Sequence, residues 1–179
     1  MNVNRRILFA RVPRGLPVEA DFGQDTVAVP SPGPGQFLSR TLWLSLDPYL
    51  RNVMKGHPLY GVAMQPGDPM HGETVAQVLE SRHPQFAPGE TVVVKNGWQE
   101  YALSDGQGVR KVDPAGAPLT TALGVLGMPG LTGYAGLVYL GEPRPGQTVL
   151  VSAATGPVGS TVGQLARLMG ARAVGVAGS

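Results

Sequence analysis

Apolar residues in the first two thirds of the chain occur in short runs separated by turn-forming residues. Five such runs predict strands, because they are rich in β-branched and aromatic residues. They cover residues 5–11, 37–46, 73–81, 91–95 and 98–104. Asn96-Gly97 separates the last two runs and predicts a two-residue hairpin between them. Up to about residue 115, the chain therefore predicts a small, partly open antiparallel barrel.

The pattern changes after residue 118. The segments 119–127 and 131–140 predict helices, interrupted at Met128-Pro129-Gly130, and a turn and a strand are predicted over 145–152. A helix is predicted over 157–170 because one apolar face recurs at helical spacing. That face consists of Val158, Val162, Leu165, Ala166 and Met169. Residues 171–179 predict a second buried strand.

Two residues mark the ends of the predicted 157–170 helix. Pro157 is tolerated at a first helical position, where no N–H group is needed. Gly170 suits the position just after a helix, where the backbone is left-handed. Strand, turn, helix and strand over 145–179 make a βαβ unit, which predicts a parallel strand pair.

The turn of this unit, residues 154–159, matches the pattern GxGxxG with alanine in first position. Gly156 would let the backbone approach a pyrophosphate, and Gly159 with Gly163 would let the helix lie close to the sheet. The helix N-terminus offers free N–H groups to phosphate. The alternative is a βα turn without a ligand. The turn at residues 154–159 is not a P-loop, because no Gly-Lys-Ser/Thr follows it.

Composition narrows the function classes. The 26 glycines and 17 prolines separate apolar runs instead of forming tracts, so they predict turns and not disorder. A net charge of +2 gives no indication of a nucleic-acid partner. No cysteine is present, which excludes disulfides, thiol catalysis and cysteine-ligated zinc. His57, His71 and His83 lack metal-ligand spacing. No apolar run reaches membrane-spanning length, so a soluble cytoplasmic protein is expected.

Three short motifs resemble one known family. "SLDPYLR" (45–51), "GWQEY" (97–101) and "GMPGLT" (127–132), followed by the glycine turn, are similar to the medium-chain dehydrogenase/reductase superfamily. The similarity is closest to its zinc-free branch, which contains prostaglandin reductase (leukotriene B4 dehydrogenase), curcumin reductases and 2-alkenal reductases. The glycine turn is shared across the superfamily, whereas "DPYLR" together with "GMPGLT" is more specific. The resemblance covers nearly the whole chain.

The resemblance implies an α/β protein with a β-rich part. Residues 1–118 would be a GroES-like, partly open barrel that forms the substrate and catalytic domain, and 119–179 the first part of a Rossmann doubly wound sheet. Such a sheet has about six strands, so the second domain is expected to be incomplete. We then expect residues 1–179 alone to expose apolar surface, to be poorly soluble and to bind NADPH weakly.

The implied activity is NADPH-dependent reduction of the carbon–carbon double bond of a small enone or enal by hydride transfer. The absence of a carboxylate over 176–179 also favours NADP over NAD. The resemblance is compatible with a homodimer of the full-length protein. Two alternatives remain: a quinone reductase of the same superfamily, and a dinucleotide-binding protein without turnover.

The resemblance also assigns roles by position. Gly156, Pro157, Val158 and Gly159 would contact the pyrophosphate, and Thr132 would lie near the nicotinamide. Tyr49, Lys95, Asn96 and Trp98 would lie near the substrate pocket. Tyr49 and Trp98 are equally compatible with packed aromatics, and Lys95 and Asn96 with ordinary hairpin residues. Arg51 is expected to be a structural ion-pair partner. No proton donor is identified.

Zinc-dependent relatives carry a Gly-His-Glu motif. In the matching segment, "MHGETVAQV" (70–78), Gly72 stands where the ligand histidine would be, and His71 is one residue away. Together with the lack of cysteine, this predicts zinc-independent chemistry. A hydrogen-bond donor from the protein or from the cofactor's ribose would then have to polarise the substrate carbonyl.

Overall fold

The computed structural model describes residues 3–55 and 63–178, so His57 and Ser179 lie outside the described residues. The chain divides into two units, Met1–Gly116 and Ala117–Ser179, and each is described by itself. No helix among the described residues has the length and apolar character needed to cross a membrane.

The first unit is built on antiparallel strands. Strands β1 (Val3–Phe9) and β2 (Phe22–Ala28) pair with each other, and a 3₁₀ turn over Glu19–Asp21 precedes β2. A five-stranded sheet has the order β6-β3-β4-β5-β7. Its strands are β3 (Phe37–Leu44), β4 (Thr74–Ser81), β5 (Thr91–Val94), β6 (Tyr101–Ser104) and β7 (Arg110–Val112). A short helix, α1 (Leu50–Val53), follows β3.

Backbone hydrogen bonds connect the free edge of β1 to the rest of this unit. The Ile7 N–H donates to the carbonyl of Trp98 at 2.8 Å, and the Met70 N–H donates to the carbonyl of Ile7 at 2.8 Å. Apolar clusters around Phe9 and Met70 and around Phe37 lie in the interior of this unit. The expected β-rich, partly open barrel is confirmed.

The predicted hairpin at Asn96-Gly97 is wrong. Strand β5 lies between β4 and β7, and β6 pairs with β3. Gly97 does adopt the left-handed backbone that a turn requires, with φ +72°. The Trp98 N–H then donates to the carbonyl of Met70 at 2.8 Å. The chain after β5 is thus drawn towards the 68–72 segment instead of folding back on β5.

The second unit begins with a 3₁₀ helix over Leu119–Leu123 and continues with α2 (Met128–Ala135) and a π-helical turn over Gly136–Gly141. Met128-Pro129-Gly130 therefore opens a helix, and the predicted interruption there is wrong. The physical reason is that proline in a first helical turn needs no hydrogen-bond partner for its nitrogen.

The predicted βαβ unit is confirmed. Strands β8 (Thr148–Ser152) and β9 (Arg172–Val176) are parallel, and α3 (Pro157–Leu168) connects them. Pro157 is the first helical residue, and Gly170 has φ +77° just after the helix. Val162, Leu165, Ala166 and Met169 pack inward as predicted.

The predicted burial of the last strand is wrong. Among the described residues, β9 has β8 as its paired strand, and α3 covers one side of that pair. Residues of β9 are consequently half-buried or exposed, and Val176 is 52% exposed.

Candidate functional site

A cavity of about 520 Å³ lies in the first unit. We call it the Tyr49 cavity, and its lining includes Tyr49, Val53, His71, Gly72, Lys95 and Asn96. The segment that contains α1 supplies one wall, the residues before β4 a second and the residues after β5 a third. Three of the four predicted substrate residues therefore line the same cavity, and the fourth, Trp98, does not.

Tyr49 and Lys95 differ in their surroundings. Tyr49 is half-buried and packs against the cluster that contains Phe9 and Leu50. Lys95 is exposed. The Tyr49 ring therefore packs against this apolar cluster and also lines the cavity. The packed-aromatic interpretation is thus compatible with a place in the cavity wall.

Asn96 is held mainly by the protein itself. Its side chain is 4% exposed, and its Nδ2 donates to Ser39 Oγ at 3.0 Å and to Thr41 Oγ1 at 3.3 Å. The backbone carbonyl of Asn96 accepts a hydrogen bond from Gln99 Nε2 at 2.6 Å. The amide group therefore fixes the end of β5 to β3, which is a structural role within the cavity wall.

Trp98 faces a second cavity, of about 460 Å³, together with Ile7 and Leu44. Its ring stacks on Phe22 with a centroid distance of 5.8 Å and an angle of 9°. A Cβ atom at Gly72 would lie 3.0 Å from Trp98 Nε1. Gly72 therefore lies between Trp98 and the Tyr49 cavity. The Trp98 ring packs against this glycine and does not line the cavity.

Arg51 was expected to form an ion pair, and this expectation is wrong. Its Nη2 donates to the carbonyl of Pro13 at 3.2 Å and to that of Gly15 at 3.0 Å. The ion pairs among the described residues are those of Arg5, Arg6, Arg11 and Lys111. Arg51 instead ties the loop before β2 to α1, the helix that follows Tyr49.

Glu73 is a residue that the sequence analysis did not single out. It is half-buried next to Gly72, and burial raises the pKa of its carboxyl above the ordinary value of 4.5. The positive charge of Lys95 counteracts this rise, as does that of Arg110, whereas Asp47 adds to it. The sequence feature that could have drawn attention to Glu73 is its position directly after Gly72, which stands where zinc-dependent relatives carry a histidine ligand.

The glycine turn lies in the second unit. A Cβ atom at Gly159 would come within 2.4 Å of the Ala153 carbonyl oxygen, so only glycine permits this close approach. Gly156 precedes the helix with an extended backbone. Gly163 has nothing within 4 Å of its would-be Cβ, so its predicted role in close packing is wrong.

The turn has the features of an anion site. Within the described part of the chain, the N–H groups of Val158 and Gly159 have no backbone acceptor, and the first turn of α3 contains no acidic residue. Ala153, just before the turn, is held at φ +49°. A helix N-terminus with free N–H groups attracts phosphate.

Thr132 lies on α2, which packs against α3. Its hydroxyl donates to the carbonyl of Met128 at 2.7 Å, and the side chain is exposed. A Cβ atom at Gly133 would lie 3.1 Å from the Val158 carbonyl oxygen. Thr132 and the glycine turn therefore belong to neighbouring helices of one unit.

Comparison with known proteins identifies the family to which the chain belongs. The profile of a family described as the N-terminal domain of oxidoreductase matches residues 5–112. The chain belongs to this family, within the medium-chain dehydrogenase/reductase superfamily. No group of three His, Cys, Asp or Glu side chains placed to hold a metal ion occurs in residues 3–55 or 63–178.

Several relatives match almost all of the chain. An NADPH-dependent curcumin reductase of Escherichia coli (strain K12) is 47% identical over 175 residues, which are 98% of this chain and 51% of that protein. A 2-alkenal reductase (NADP(+)-dependent) of Nicotiana tabacum is 39% identical over 98% of this chain and 53% of that protein.

A solved structure agrees in fold. CurA of Vibrio vulnificus, in complex with NADPH, is 42% identical and superposes with a TM-score of 0.92, covering 98% of this chain and 52% of that one. The chain thus spans about half the length of the relatives it matches.

Proposed function

We propose that the protein containing this chain catalyses NADPH-dependent, zinc-independent reduction of the carbon–carbon double bond of an enone or enal. The observation that carries the proposal is the similarity over 98% of this chain to an NADPH-dependent curcumin reductase and to a 2-alkenal reductase. An alkenal with its double bond beside the carbonyl is an α,β-unsaturated aldehyde, so the substrate class follows from that name.

Domain roles follow from the same similarity. We propose residues 1–118 as the substrate domain and 119–179 as the first part of the dinucleotide-binding domain. We also propose that the full-length protein is a homodimer, which analytical ultracentrifugation tests.

The glycine turn fits a pyrophosphate. Gly159 leaves room at the backbone, and the free N–H groups of Val158 and Gly159 supply donors. We therefore place the phosphates of NADPH at Gly156, Pro157, Val158 and Gly159, with Thr132 near the nicotinamide. When bound, NADPH supplies the hydride.

The residues of the Tyr49 cavity are proposed to bind and orient the substrate. As the β-carbon accepts a hydride, negative charge develops on the carbonyl oxygen of the enone. A positioned donor stabilises such an oxygen more than it stabilises the neutral carbonyl. Lys95, Tyr49 and His71 are the lining side chains that carry a donor for this purpose besides the amide of Asn96, which already donates to Ser39.

Zinc independence is supported by packing at Gly72. A Cβ atom there would lie 2.8 Å from Leu44 Cδ1 and 3.0 Å from Trp98 Nε1. A histidine at this position would have to displace both side chains. The sequence also has no cysteine to serve as a further ligand.

The test is an NADPH oxidation assay on the full-length gene product with an aliphatic enone, followed by mass spectrometry of the product. We expect the saturated ketone, and treatment with a zinc chelator should leave the rate unchanged. An allylic alcohol would contradict the proposal, since it would mean that the carbonyl had been reduced. Turnover of quinones without turnover of any enone would favour a quinone reductase. NADPH binding without turnover would favour a non-catalytic protein.

A further inference from the structure

Asn96-Gly97 is the one Asn-Gly pair in the sequence. In such a pair the backbone nitrogen of the glycine can attack Cγ of the asparagine, because glycine has no side chain to hinder the approach. The nitrogen loses its proton, the Cγ–Nδ2 bond breaks, ammonia leaves and a five-membered succinimide forms. Water then opens the ring to aspartate or isoaspartate, without any oxidant or reductant. This deamidation requires a free glycine nitrogen, a mobile asparagine side chain and access for water.

The fold withholds all three requirements. The Gly97 N–H donates to the carbonyl of Gly72 at 3.1 Å. Asn96 Nδ2 donates to Ser39 Oγ at 3.0 Å and to Thr41 Oγ1 at 3.3 Å. Asn96 is 4% exposed, and Gly97 is also buried. Because the reacting atoms must come within about 3–3.5 Å in an aligned arrangement, a side chain bonded to β3 has to be released first.

The fold nevertheless needs both residues of this reactive pair. Gly97 has φ +72°, and a Cβ atom there would lie 2.6 Å from the Met70 carbonyl oxygen, so the position requires glycine. The Asn96 amide supplies donors to two hydroxyl oxygens, which an ionised carboxylate lacks. Both residues line the Tyr49 cavity. A chemically labile pair is therefore part of the wall of that cavity.

Two backbone hydrogen bonds hold segment 96–98 against segment 70–72. One is the bond from Gly97 to Gly72, and in the other the Trp98 N–H donates to the Met70 carbonyl at 2.8 Å. Breaking them releases the attacking nitrogen and opens the cavity wall to water. Local openings of this kind cost less free energy than unfolding of the whole protein. The same motion therefore removes the protection of Asn96 and disrupts the cavity.

We propose that Asn96-Gly97 is a protected deamidation site, which reacts when segment 96–98 separates from segment 70–72. The inference is independent of the proposed function, because it concerns the cavity wall whatever ligand the cavity takes. The reaction is irreversible and leaves a carboxylate without a donor for Ser39 or Thr41. A buried charge without a partner opposes the folded state. Each event therefore produces one molecule whose cavity wall no longer closes properly.

The first experiment measures the rate of the reaction. The full-length gene product and a synthetic peptide of residues 91–101 are incubated at mildly alkaline pH. Mass spectrometry follows the replacement of –NH2 by –OH at position 96, and enzymatic methylation detects isoaspartate. We expect the folded protein to react at least about a hundredfold more slowly than the peptide, because only the opened fraction reacts. Equal rates would overturn the inference.

Two variants distinguish local opening from general instability. Ser39→Ala removes an acceptor of the Asn96 amide and should accelerate deamidation about tenfold, because the closed state loses a buried hydrogen bond. Ala166→Gly is the control, since Ala166 is fully buried on α3 in the second unit and its loss weakens that helix. It should leave the rate at Asn96 unchanged. Equal acceleration in both variants, or none in Ser39→Ala, would contradict the inference.

A third measurement tests the consequence for the fold. Asn96→Asp has the charge of the aspartate product, and its urea midpoint should be lower than that of the wild type at neutral pH. Gln107→Glu makes the same change of charge at an exposed position and should leave the midpoint unchanged. An equal midpoint for Asn96→Asp and the wild type would refute the claim that deamidation damages the cavity wall.

Discussion

Asn96 Nδ2 donates a hydrogen bond to Ser39 Oγ at 3.0 Å, although the two residues are 57 positions apart in the chain. Both side chains are buried, with exposures of 4% and 0%. The bond joins the end of β5 to β3, two strands that β4 separates in the sheet. It explains why an Asn-Gly pair, which favours a local hairpin, here sends the chain away from β5.

Ser39→Ala should lower the free energy of unfolding by about 1–3 kcal/mol, because it leaves a buried amide with one partner fewer. Urea unfolding of Ser39→Ala, Asn96→Ala and the double variant would show a coupling of at least about 0.5 kcal/mol. Ser31→Ala is the control: Ser31 is exposed, and the change should be within about 0.5 kcal/mol. Strictly additive costs would mean that the two side chains do not interact.

Gly159→Ala and Gly163→Ala should have opposite effects, although both glycines lie in α3. The first would place a Cβ 2.4 Å from the Ala153 carbonyl oxygen and should cost about 1–3 kcal/mol. The second meets open space and should stabilise the helix by about 0.5–1 kcal/mol. Urea unfolding measures both.

NADPH titration of the same two variants, made in the full-length gene product, tests the glycine turn. Binding should weaken in Gly159→Ala alone, because only that substitution moves the proposed pyrophosphate site. Equal NADPH affinity in the two variants would contradict the assignment of the turn.

Asp21 should make the protein sensitive to acid. Arg11 Nε donates to its carboxylate at 2.7 Å and the Val18 N–H at 2.9 Å, and these bonds hold the pKa of Asp21 below 3.8. A carboxylate with a lowered pKa stabilises the fold above its ordinary pKa, and this contribution is lost as the pH falls through the folded-state value.

The melting temperature of Asp21→Asn should therefore be lower than that of the wild type at neutral pH, and the difference should shrink as the pH falls below 3.8. Thermal melts monitored by circular dichroism across this range measure it. Glu19→Gln, an exposed neighbour in the same 3₁₀ turn, should show little difference at any pH. A difference for Asp21→Asn that does not depend on pH would rule out the charge as its cause.

Gly72→Ala should move Trp98, because the added Cβ would lie 3.0 Å from its Nε1 and 2.8 Å from Leu44 Cδ1. Loss of the stack on Phe22 should change the tryptophan emission and cost about 1–3 kcal/mol. Trp43 is 52% exposed and contributes a background signal. The emission change should vanish when Gly72→Ala is made in a Trp98→Phe background, and its persistence there would place the disturbance elsewhere.

Local features of the fold could be predicted because local chemistry decides them. The 3.6-residue spacing of Val162, Leu165 and Met169 sets the inner face of α3, and Pro157 and Gly170 set its ends. The strand-turn-helix-strand order around Gly159 likewise predicts a parallel pair, because a helical crossover returns the chain to the end of the sheet where the first strand began. These depend on neighbours within a few positions.

The candidate site could be predicted only in part. The sequence named Tyr49, Lys95 and Asn96, and the fold brings all three to one cavity. It did not show that Trp98 packs on the far side of Gly72, or that the Asn96 amide is already engaged by Ser39. Glu73 was not singled out for the same reason, since the rise of its pKa comes mainly from burial in the folded chain.

The sequence by itself determined the class of the fold, the position of the glycine turn and the ends of α3, because hydrophobic spacing, proline and glycine act over a few residues. Only the tertiary structure decided that β6 pairs with β3 and not with β5, that the last strand is partly exposed, and that the Asn96 side chain donates to Ser39. Those outcomes depend on contacts between residues that are far apart in the chain. Whether such contacts form depends on the packing of the whole unit, which no local pattern encodes.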